Sequence, residues 1–422
     1  MKTQLERIYN YIAALICVSI PFMTYAKAFV NICMICLFAI ILISFDKERL
    51  IKIINLKFFK AFLIFLIFII LFTLFNDSFI NDFAETRKIS QTALLIALFA
   101  FVKDKRFIIY GFLLGVFISC AITDFNIINY YDLNSLEFLI AKTDVKQLYI
   151  TQRLYLGIFV VISIVLLSFL LQGSTRNKQR LLYTILLLFF ISNLFLISSR
   201  SALLIAFIIF LVTIIYKFKS IYRASAFLFT FTQKLKLIYR AGLLIALLAT
   251  LLTIIIGSKN MSNRLLYSQD TSARTIIENI KTHEPRFDIW KFSSQIFKKE
   301  KPYLFGIGTF KTQKLLASKY QSMPIEQRRN WFIERNYNTH NQYIDIVLSF
   351  GLLGLILFMI FLKEAVSVFY KNIYSLSLIL GLILFLIIEN IFHRQLGSFI
   401  FALTLVFALH IINSKNEKDI SS

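Results

Sequence analysis

A histidine and an asparagine lie where a polar stretch of the chain runs directly into an apolar one. His340 and Asn341 belong to "RNYNTHNQYIDIVLSFGLLGLILFMIFL", at residues 335–362. A neutral imidazole at the entrance to a membrane helix can take a proton from an acceptor hydroxyl near neutral pH. The alternative is structural, because Thr339 or Asn338 can serve as the N-cap of the helix, with His340 incidental.

An arginine close to the hydrocarbon is a second candidate for chemistry. Arg200 lies in "LFLISSRSALLIAFIIF", in a short polar turn between two apolar runs. A guanidinium in this position is costly unless it pairs with an anion or its long side chain extends to the headgroups. Arg200 therefore either binds a phosphate or snorkels to the membrane surface.

A third group of polar residues follows another apolar run. Glu389 lies beside His393 and Arg394. Its carboxylate either orients a basic partner, closes a salt bridge or is a plain interfacial group. The four histidines of the chain lack ligand spacing among themselves, so no metal site is predicted.

Composition decides which elements must position these residues. The chain has 422 residues, of which 58% are hydrophobic and 16% aromatic, and it contains only 4 prolines. The apolar residues come in blocks of about 15–20, the length that a helix needs to cross hydrocarbon. These features predict an all-α, polytopic transmembrane helical bundle. The net charge is +23, but the basic residues lie mostly in short links between apolar runs, which is typical of membrane topology and not of nucleic-acid binding.

The apolar runs predict about twelve spans. Residues 26–28 imitate a signal-peptidase site, but the many runs that follow favour an uncleaved first span. No predicted span is broken by proline, which argues against a transporter built on discontinuous helices. The spans are 9–25, 28–45, 58–75, 89–102, 107–122, 154–171, 182–197, 201–216, 241–256, 343–362, 373–388 and 398–413.

The distribution of Lys and Arg predicts the orientation. With both termini inside, the inside segments carry 23 basic residues and the short outside links carry 8. The chain then divides into three parts: spans 1–9 (1–256), a long outer loop with the catalytic elements (257–342), and spans 10–12 with a short cytoplasmic tail (343–422). The loop is periplasmic if the cell has two membranes.

The outer loop is strongly basic. It contains 15 Lys and Arg against 7 Asp and Glu, so it should attract a lipid phosphate, a lipid diphosphate or an acidic glycan. The alternative is a solvated loop that clings to anionic headgroups. Within it, residues 286–299 predict an amphipathic helix, since Phe287, Trp290 and Phe297 recur at near-helical spacing. The glycines of "YLFGIGTF" then predict a sharp turn.

Three stretches form an ordered set of motifs. "SSRSALL" has an arginine in a short turn between two spans. "EPRFDIWKFSSQIFKKEKPYLFGIGTF" has an arginine, a tryptophan four residues on and a closing Gly-x-Gly element. "THNQYIDIVLSFGLLGLILF" has a His-Asn pair at the entrance to a span that continues into G-L-x-G-L. Together, over roughly residues 198–362, they resemble the O-antigen ligase / Wzy polymerase family of membrane glycosyltransferases.

The resemblance implies a GT-C-like fold and a reaction without metal, nucleotide sugar or other cofactor. A glycan would pass from undecaprenyl diphosphate to an acceptor hydroxyl at the outer face of the inner membrane, with inversion at the anomeric carbon. Arg200 and Arg286 would hold the diphosphate, and His340 would act on the hydroxyl. The further substrate-binding candidates are Asn341, Trp290, Glu389, Arg264, Arg274, Arg328, Arg329 and Arg335.

The acceptor stays open at this point. An O-antigen ligase acting on the lipid A-core oligosaccharide is favoured, and a glycan polymerase is the next candidate. A protein O-oligosaccharyltransferase shares the donor, although the short tail "SKNEKDISS" lacks a large C-terminal soluble portion. A lipid-glycan transporter is the contrasting class, but it needs a charged cavity through the membrane. The notable polar groups of this chain are instead predicted at the outer face, and no oligomeric state is predicted.

Overall fold

The computed structural model describes residues 2–44, 46–76, 78–130, 148–197, 199–224 and 284–421. Within these ranges the chain consists of α-helices and short 3-10 turns, which confirms the predicted all-α polytopic fold. The helices before the long loop are α1 (Lys2–Ser19), α2 (Met23–Ile43), α3 (Lys47–Ile54), α4 (Lys57–Phe75), α5 (Phe79–Ala100), α6 (Arg106–Tyr130), α7 (Arg153–Gly173), α8 (Asn177–Ile197) and α9 (Arg200–Ala224). The later helices are α10 (Pro285–Glu300), α11 (Thr309–Gln321), α12 (Glu326–Arg335), α13 (Gln342–Phe369), α14 (Ile373–Ile388) and α15 (Gln395–Ser421).

The predicted spans in the described ranges lie on helices to within two residues at their ends, and the predicted span 241–256 lies outside those ranges. The predicted span 89–102 lies in α5, which is not among the helices found long and apolar enough to cross a membrane. Two shorter apolar helices are Arg200–Tyr216 and Ile373–Ile388. Seven segments of the described chain are long and apolar enough to cross a membrane. They are Gln4–Ile43, Lys57–Phe75, Arg106–Asn129, Arg153–Gly173, Asn177–Ile197, Gln342–Phe369 and Gln395–Asn413.

The first of these segments folds back on itself. Gln4–Ile43 has 40 residues, about twice the length that one crossing needs. A 3-10 turn at Ile20–Phe22, with Pro21 inside it, separates α1 from α2. Side chains from the two far ends, at 5–10 and 40–44, line the same pocket. The segment is therefore an antiparallel hairpin, which agrees with the two spans predicted there.

Phenylalanine rings form the seam between α4 and α13. Lipid tails are as apolar as the helices, so contact between spans depends on close packing of side chains. The α4 rings at positions 58, 62 and 65 recur at helical spacing and meet rings of the antiparallel α13. Such ring pairs contribute about 0.5–1.5 kcal/mol beyond the area that they bury. The pairs, with their centroid separations, are Phe58–Phe369 (5.3 Å), Phe62–Phe361 (5.2 Å) and Phe65–Phe358 (5.1 Å).

Helix α13 is interrupted although it contains no proline. Gly351, its tenth residue and roughly 14 Å along the helix at 1.5 Å per residue, has φ 74° and ψ −174°. The break removes helical partners from the backbone groups on both sides, and lipid cannot replace them. The loop segment 303–308 supplies the partners instead. Its bonds are Ile307 N to Leu348 O (2.9 Å), Gly308 N to Ser349 O (3.0 Å), Leu352 N to Tyr303 O (2.8 Å) and Leu353 N to Leu304 O (3.3 Å).

The glycines of two sequence motifs explain why the backbones can approach so closely. A Cβ on Gly306 would lie 2.1 Å from the carbonyl carbon of Ser349. A Cβ on Gly351 would lie 2.4 Å from the carbonyl oxygen of Leu304. The Gly-x-Gly element and the G-L-x-G-L element therefore interlock, and the sharp turn predicted for the first of them lies against the break in α13.

Helices α10, α11 and α12 form a small cap on the start of α13. The predicted amphipathic helix is α10, but its buried stripe is set by Ile289 and Ile296, while Phe287 is 43% exposed. Trp290 and Phe297 pack beside the stripe. The buried core of the cap consists of Ile289, Ile296, Leu316, Tyr320, Met323, Phe332 and Leu348.

A buried carboxylate from α5 fixes the start of α11. Asp82 is 1% exposed and accepts hydrogen bonds from the Thr309 hydroxyl (2.8 Å) and the Phe310 amide (2.7 Å). The side chains of Asn76 and Ser78 donate to its other oxygen. A carboxylate at a helix N-terminus satisfies exposed amides and suits the helix dipole. The cap is therefore tied to the bundle through α5 as well as through α13.

Gly351→Ala is expected to destabilise the protein. A side chain in this conformation costs about 1–3 kcal/mol, and its Cβ collides with the backbone of Leu304. The measurement is the midpoint of thermal unfolding in detergent. Gly381→Ala is the matched control, because that Cβ lies 3.1 Å from the flexible end of Ile209. Equal midpoints for the two variants would contradict the interlock.

Candidate functional site

A strained histidine lies where the cap joins the bundle. His340 has φ +43°, a conformation that few residues other than glycine adopt. Its amide donates to the side-chain carbonyl of Asn338 (3.0 Å). The Trp290 indole donates to the carbonyl of Thr339 (3.1 Å), and the Asn341 amide donates to the side chain of Asn390 (2.6 Å). Contacts on both sides hold the backbone in this conformation.

The ring of His340 pairs with a buried carboxylate from the end of α14. Nδ1 of His340 lies 2.9 Å from Oε2 of Glu389, whose side chain is only 3% exposed. Burial opposes ionisation of Glu389, but the hydrogen bond and charge of His340, with the charges of Arg394 and Arg286, lower its pKa below the usual value. An ionised Glu389 accepts a hydrogen bond from Nδ1–H. In the neutral ring, Nε2 is then left with a lone pair that can accept a proton.

Two arginines converge on one glutamate beside this pair. Glu284 lies 2.6 Å from Arg286 and 3.9 Å from Arg200, through its two different oxygens. Arg286 also donates from Nε to the carbonyl of Ile388 (3.2 Å), the residue before Glu389. The start of α9, the start of α10 and the end of α14 are therefore brought to the same place as His340.

Arg394 adds a third guanidinium. It is exposed, and it lies 5.8 Å from the centre of the Tyr155 ring. Its charge helps to lower the pKa of Glu389, so it is within electrostatic range of that carboxylate. Among the described residues, no carboxylate forms a salt bridge with Arg394. This guanidinium is available to an external anion.

Aromatic rings close one side of the histidine. The Tyr337 ring lies edge-on to His340, with centroids 5.3 Å apart. Trp331 and Phe332 pack against Tyr337 in turn. Burial raises the pKa of the Tyr337 hydroxyl, so it stays protonated at neutral pH. The arrangement combines a potential general base with guanidinium groups and a partly apolar wall.

Part of the sequence that forms this geometry matches a known family model. A family model described as Wzy_C: O-Antigen ligase matches part of the chain. Residues 183–359 match the O-antigen ligase (Wzy_C) family. The family prediction, made from three motifs, is thereby confirmed. No curated protein matches the chain.

The Wzy_C match covers only part of the site. It begins in α8, ends in α13 and contains Arg200, Arg286 and His340. Glu389 and Arg394 lie beyond its C-terminal end, at the junction of α14 and α15. The fold therefore completes the Wzy_C region with side chains from the last two helices.

Two predicted substrate-binding residues have structural contacts instead of free side chains. The side chain of Asn341 accepts from the amides of Tyr343 and Ile344, both at 3.0 Å, and is the N-cap of α13. The alternative that placed the cap at Thr339 or Asn338 is therefore wrong. Trp290 uses its indole to hold the Thr339 carbonyl. Both residues position His340 in the described structure.

The other predicted arginines in the described residues contact the cap, and Arg335 also bonds to the Tyr337 hydroxyl beside His340. Arg328 pairs with Asp288 on α10 and lies over the ring of Phe332. The Arg329 guanidinium donates to the carbonyl of Met323. Arg335 lies over the Trp331 ring, 5.2 Å from its centre. Two further candidates, Arg264 and Arg274, lie outside the described residues.

Sequence reasoning missed Glu284 and Tyr337, and named Arg394 only as a neighbour of Glu389. Glu284 has one local signal, because it stands two residues before Arg286. The pairing of His340 with Glu389 has none, since 49 residues separate them. In the described parts of the chain, no group of three His, Cys, Asp or Glu side chains is arranged to hold a metal ion.

His340→Ala is expected to raise the pKa of Glu389, because burial then acts with less opposition. The interactions that lower the pKa of Glu389 contribute stability above the ordinary carboxyl pKa, and that contribution is lost as the pH falls. Infrared spectroscopy of the carboxylic C=O band, with Glu389→Gln to identify it, measures the protonated fraction. His410→Ala, beside the link 104–106 at the opposite end of the bundle, is the control. An unchanged titration of Glu389 in His340→Ala would refute the pairing.

Proposed function

We propose that this chain is an O-antigen ligase. It transfers a glycan from undecaprenyl diphosphate to the lipid A-core oligosaccharide at the periplasmic face of the inner membrane. The observation that carries the proposal is the convergence of Arg200 and Arg286 with the His340–Glu389 pair at one end of a membrane bundle. Arg200, Arg286 and His340 lie within the Wzy_C match, and members of that family are glycosyltransferase-like enzymes.

The proposed reaction begins with proton transfer. With Nδ1–H donated to Glu389, Nε2 of His340 takes the proton of the acceptor hydroxyl. The acceptor oxygen attacks the anomeric carbon from the face opposite the leaving group, so the configuration inverts. The bond from that carbon to the phosphate oxygen breaks, and undecaprenyl diphosphate leaves with the bonding electrons. Glu389 stabilises the imidazolium that forms.

Guanidinium groups stabilise the leaving diphosphate, whose negative charge grows as the glycosidic bond breaks. Arg200 and Arg286 already face one carboxylate, that of Glu284, so they are spaced to share an anion. Arg394 is exposed nearby and adds a third donor. Each such donor is worth about a hundred- to a thousand-fold in rate.

A glycan polymerase of the same family would use the same donor and the same residues. The two functions differ in the acceptor, which is the core oligosaccharide for a ligase and the growing glycan for a polymerase. The protein O-oligosaccharyltransferase differs in the same way. A transporter fits less well, because the clustered charges described here lie at one end of the bundle and do not run through it.

A deletion strain distinguishes the acceptors. A ligase mutant is expected to show lipopolysaccharide core alone on a gel and to accumulate polymer on the lipid carrier. Core with a single repeat unit would identify a polymerase instead. If the deletion strain, without a plasmid copy of the gene, gives a normal lipopolysaccharide gel, both assignments are overturned.

Variants test the proposed roles. We expect His340→Ala to lower the transfer rate by about a hundred- to ten-thousand-fold, and Arg286→Ala by about a hundred- to a thousand-fold. Arg394→Ala is expected to lower the rate by a similar factor, because Arg394 is the third donor to the same leaving group. The measurement is transfer by purified protein in proteoliposomes. Arg180→Ala is the matched control, because that arginine is exposed at the start of α8, whereas Arg200 lies just after the end of that helix. Full transfer by the Arg286 variant would contradict the proposal that Arg286 binds the diphosphate.

The proposed orientation is tested separately. The reporter is an enzyme that is active only after export. Fused near residue 300, at the end of α10, it is expected to be active. A second fusion at residue 103, between α5 and α6, is the control and is expected to stay in the cytoplasm. An inactive fusion near residue 300 would place the cap on the cytoplasmic side, which is the wrong side for this reaction.

A further inference from the structure

A second histidine–carboxylate pair lies directly behind the first. Nε2 of His393 is 3.2 Å from both carboxylate oxygens of Asp345, at the start of α13. Nδ1 of His393 is 3.6 Å from Oε2 of Glu85, on α5. Lys88, one turn further along α5, lies 2.7 Å from the other oxygen of Glu85 and 2.7 Å from the carbonyl of His393. The four charged side chains form one cluster.

The geometry of the cluster indicates that His393 carries a charge. Both ring nitrogens face a carboxylate oxygen, and only an imidazolium has a proton on each nitrogen. The side chains of His393 and Asp345 are 16% and 6% exposed, so an unbalanced charge would be costly here. Two carboxylates with one lysine leave one negative charge, which the imidazolium neutralises. Oε2 of Glu85 is buried and has no hydrogen bond, and Nδ1 of His393 lies 3.6 Å from it.

Electrostatics agrees with the geometry. Burial lowers the pKa of His393, but Asp345 and then Glu85 outweigh it, and despite Lys88 the pKa rises from 6.5 to about 9. The folded protein therefore keeps the proton until the pH approaches 9. Because the folded pKa is the higher one, the contribution to stability is complete below the ordinary pKa of 6.5 and is lost as the pH rises to about 9.

The cluster is bonded to the backbone that carries His340. The hydroxyl of Thr339, the residue before His340, shares its one proton between the carbonyl of Asn341 (3.1 Å) and Asp345 (3.4 Å). The Asn390 side-chain amide donates to Thr339 (2.6 Å), and its carbonyl accepts from the amide of Asn341 (2.6 Å). Asn390 directly follows Glu389. One network therefore holds both the segment with His340 and the segment with Glu389.

We propose that the imidazolium of His393, between Asp345 and Glu85, is a positioning device that keeps His340 and Glu389 in register, and that this register is lost when His393 deprotonates at alkaline pH. His393 does not itself face the pair: it acts through Asp345, Thr339 and Asn390. The proposal rests on the proposed function only where glycan transfer is the readout, and the register itself can be measured without it.

The first test uses the wild-type protein and no transfer assay. The chain has only 4 histidines, so NMR of ring-labelled histidine in detergent resolves them individually. His393→Gln identifies the resonance of His393, which is expected to titrate near pH 9. The resonance of His340 is expected to shift with the same midpoint. A midpoint for His393 near 6.5, or a His340 resonance that ignores the titration of His393, would overturn the proposal.

The second test uses transfer kinetics. Displacement of reacting groups by about 1 Å costs on the order of a hundredfold in rate, so His393→Gln is expected to lower kcat about a hundredfold and to leave KM for the donor unchanged. It is also expected to abolish the alkaline decline of kcat. His393→Lys keeps a cation and is expected to restore part of kcat. His410→Gln, at the opposite end of the bundle, is the control.

The outcomes separate the two proposals. If wild-type protein transfers no glycan but the histidine resonances titrate together, the proposed function fails and the positioning device stands. If transfer is normal and His393→Gln keeps both kcat and its pH profile, the positioning device fails and the proposed function stands. Should His393→Gln not fold, the double variant with Asp345→Asn restores a neutral hydrogen-bonded pair and is expected to lack the alkaline decline.

Discussion

Lipid cannot hydrogen-bond a broken backbone, and this constraint ties the cap to the bundle. The break in α13 at Gly351 is filled by the loop segment 303–308, whose amides and carbonyls replace the missing helical partners. The segment lies between α10 and α11, and Asp82 fixes the start of α11. The position of α10, and with it Arg286, is therefore set relative to α13 and His340.

Two histidine–carboxylate pairs follow from this frame. His340 with Glu389 faces the arginines, and His393 with Asp345 lies behind it. In a site of low dielectric constant, a buried carboxylate without a partner is costly. Each histidine–carboxylate pair therefore stabilises the fold only when its hydrogen-bond network is complete. Thr339 and Asn390 connect them, which is why the strained φ of His340 can persist.

Fold class and family were predictable because they depend on patterns within the chain. The apolar runs predicted the helices, and motifs at Arg200, Arg286 and His340 predicted the family. The partners of these residues were not predictable, since Glu389 and Asp345 meet their histidines across 48 or 49 residues of sequence. The break in α13 was also hidden. Its glycines read as turn and packing signals, and only their contact shows that they interlock.

The carboxylate of Glu284 has a consequence for turnover. It stands between Arg200 and Arg286, so any ligand that carries phosphate must displace a resident competitor that never diffuses away. In the proposed reaction, tight retention of the spent carrier lipid would stall the next turnover. Because Glu284 is part of the chain, it lowers the affinity of the two arginines for any phosphate. It can also pair with them again as soon as the product begins to leave.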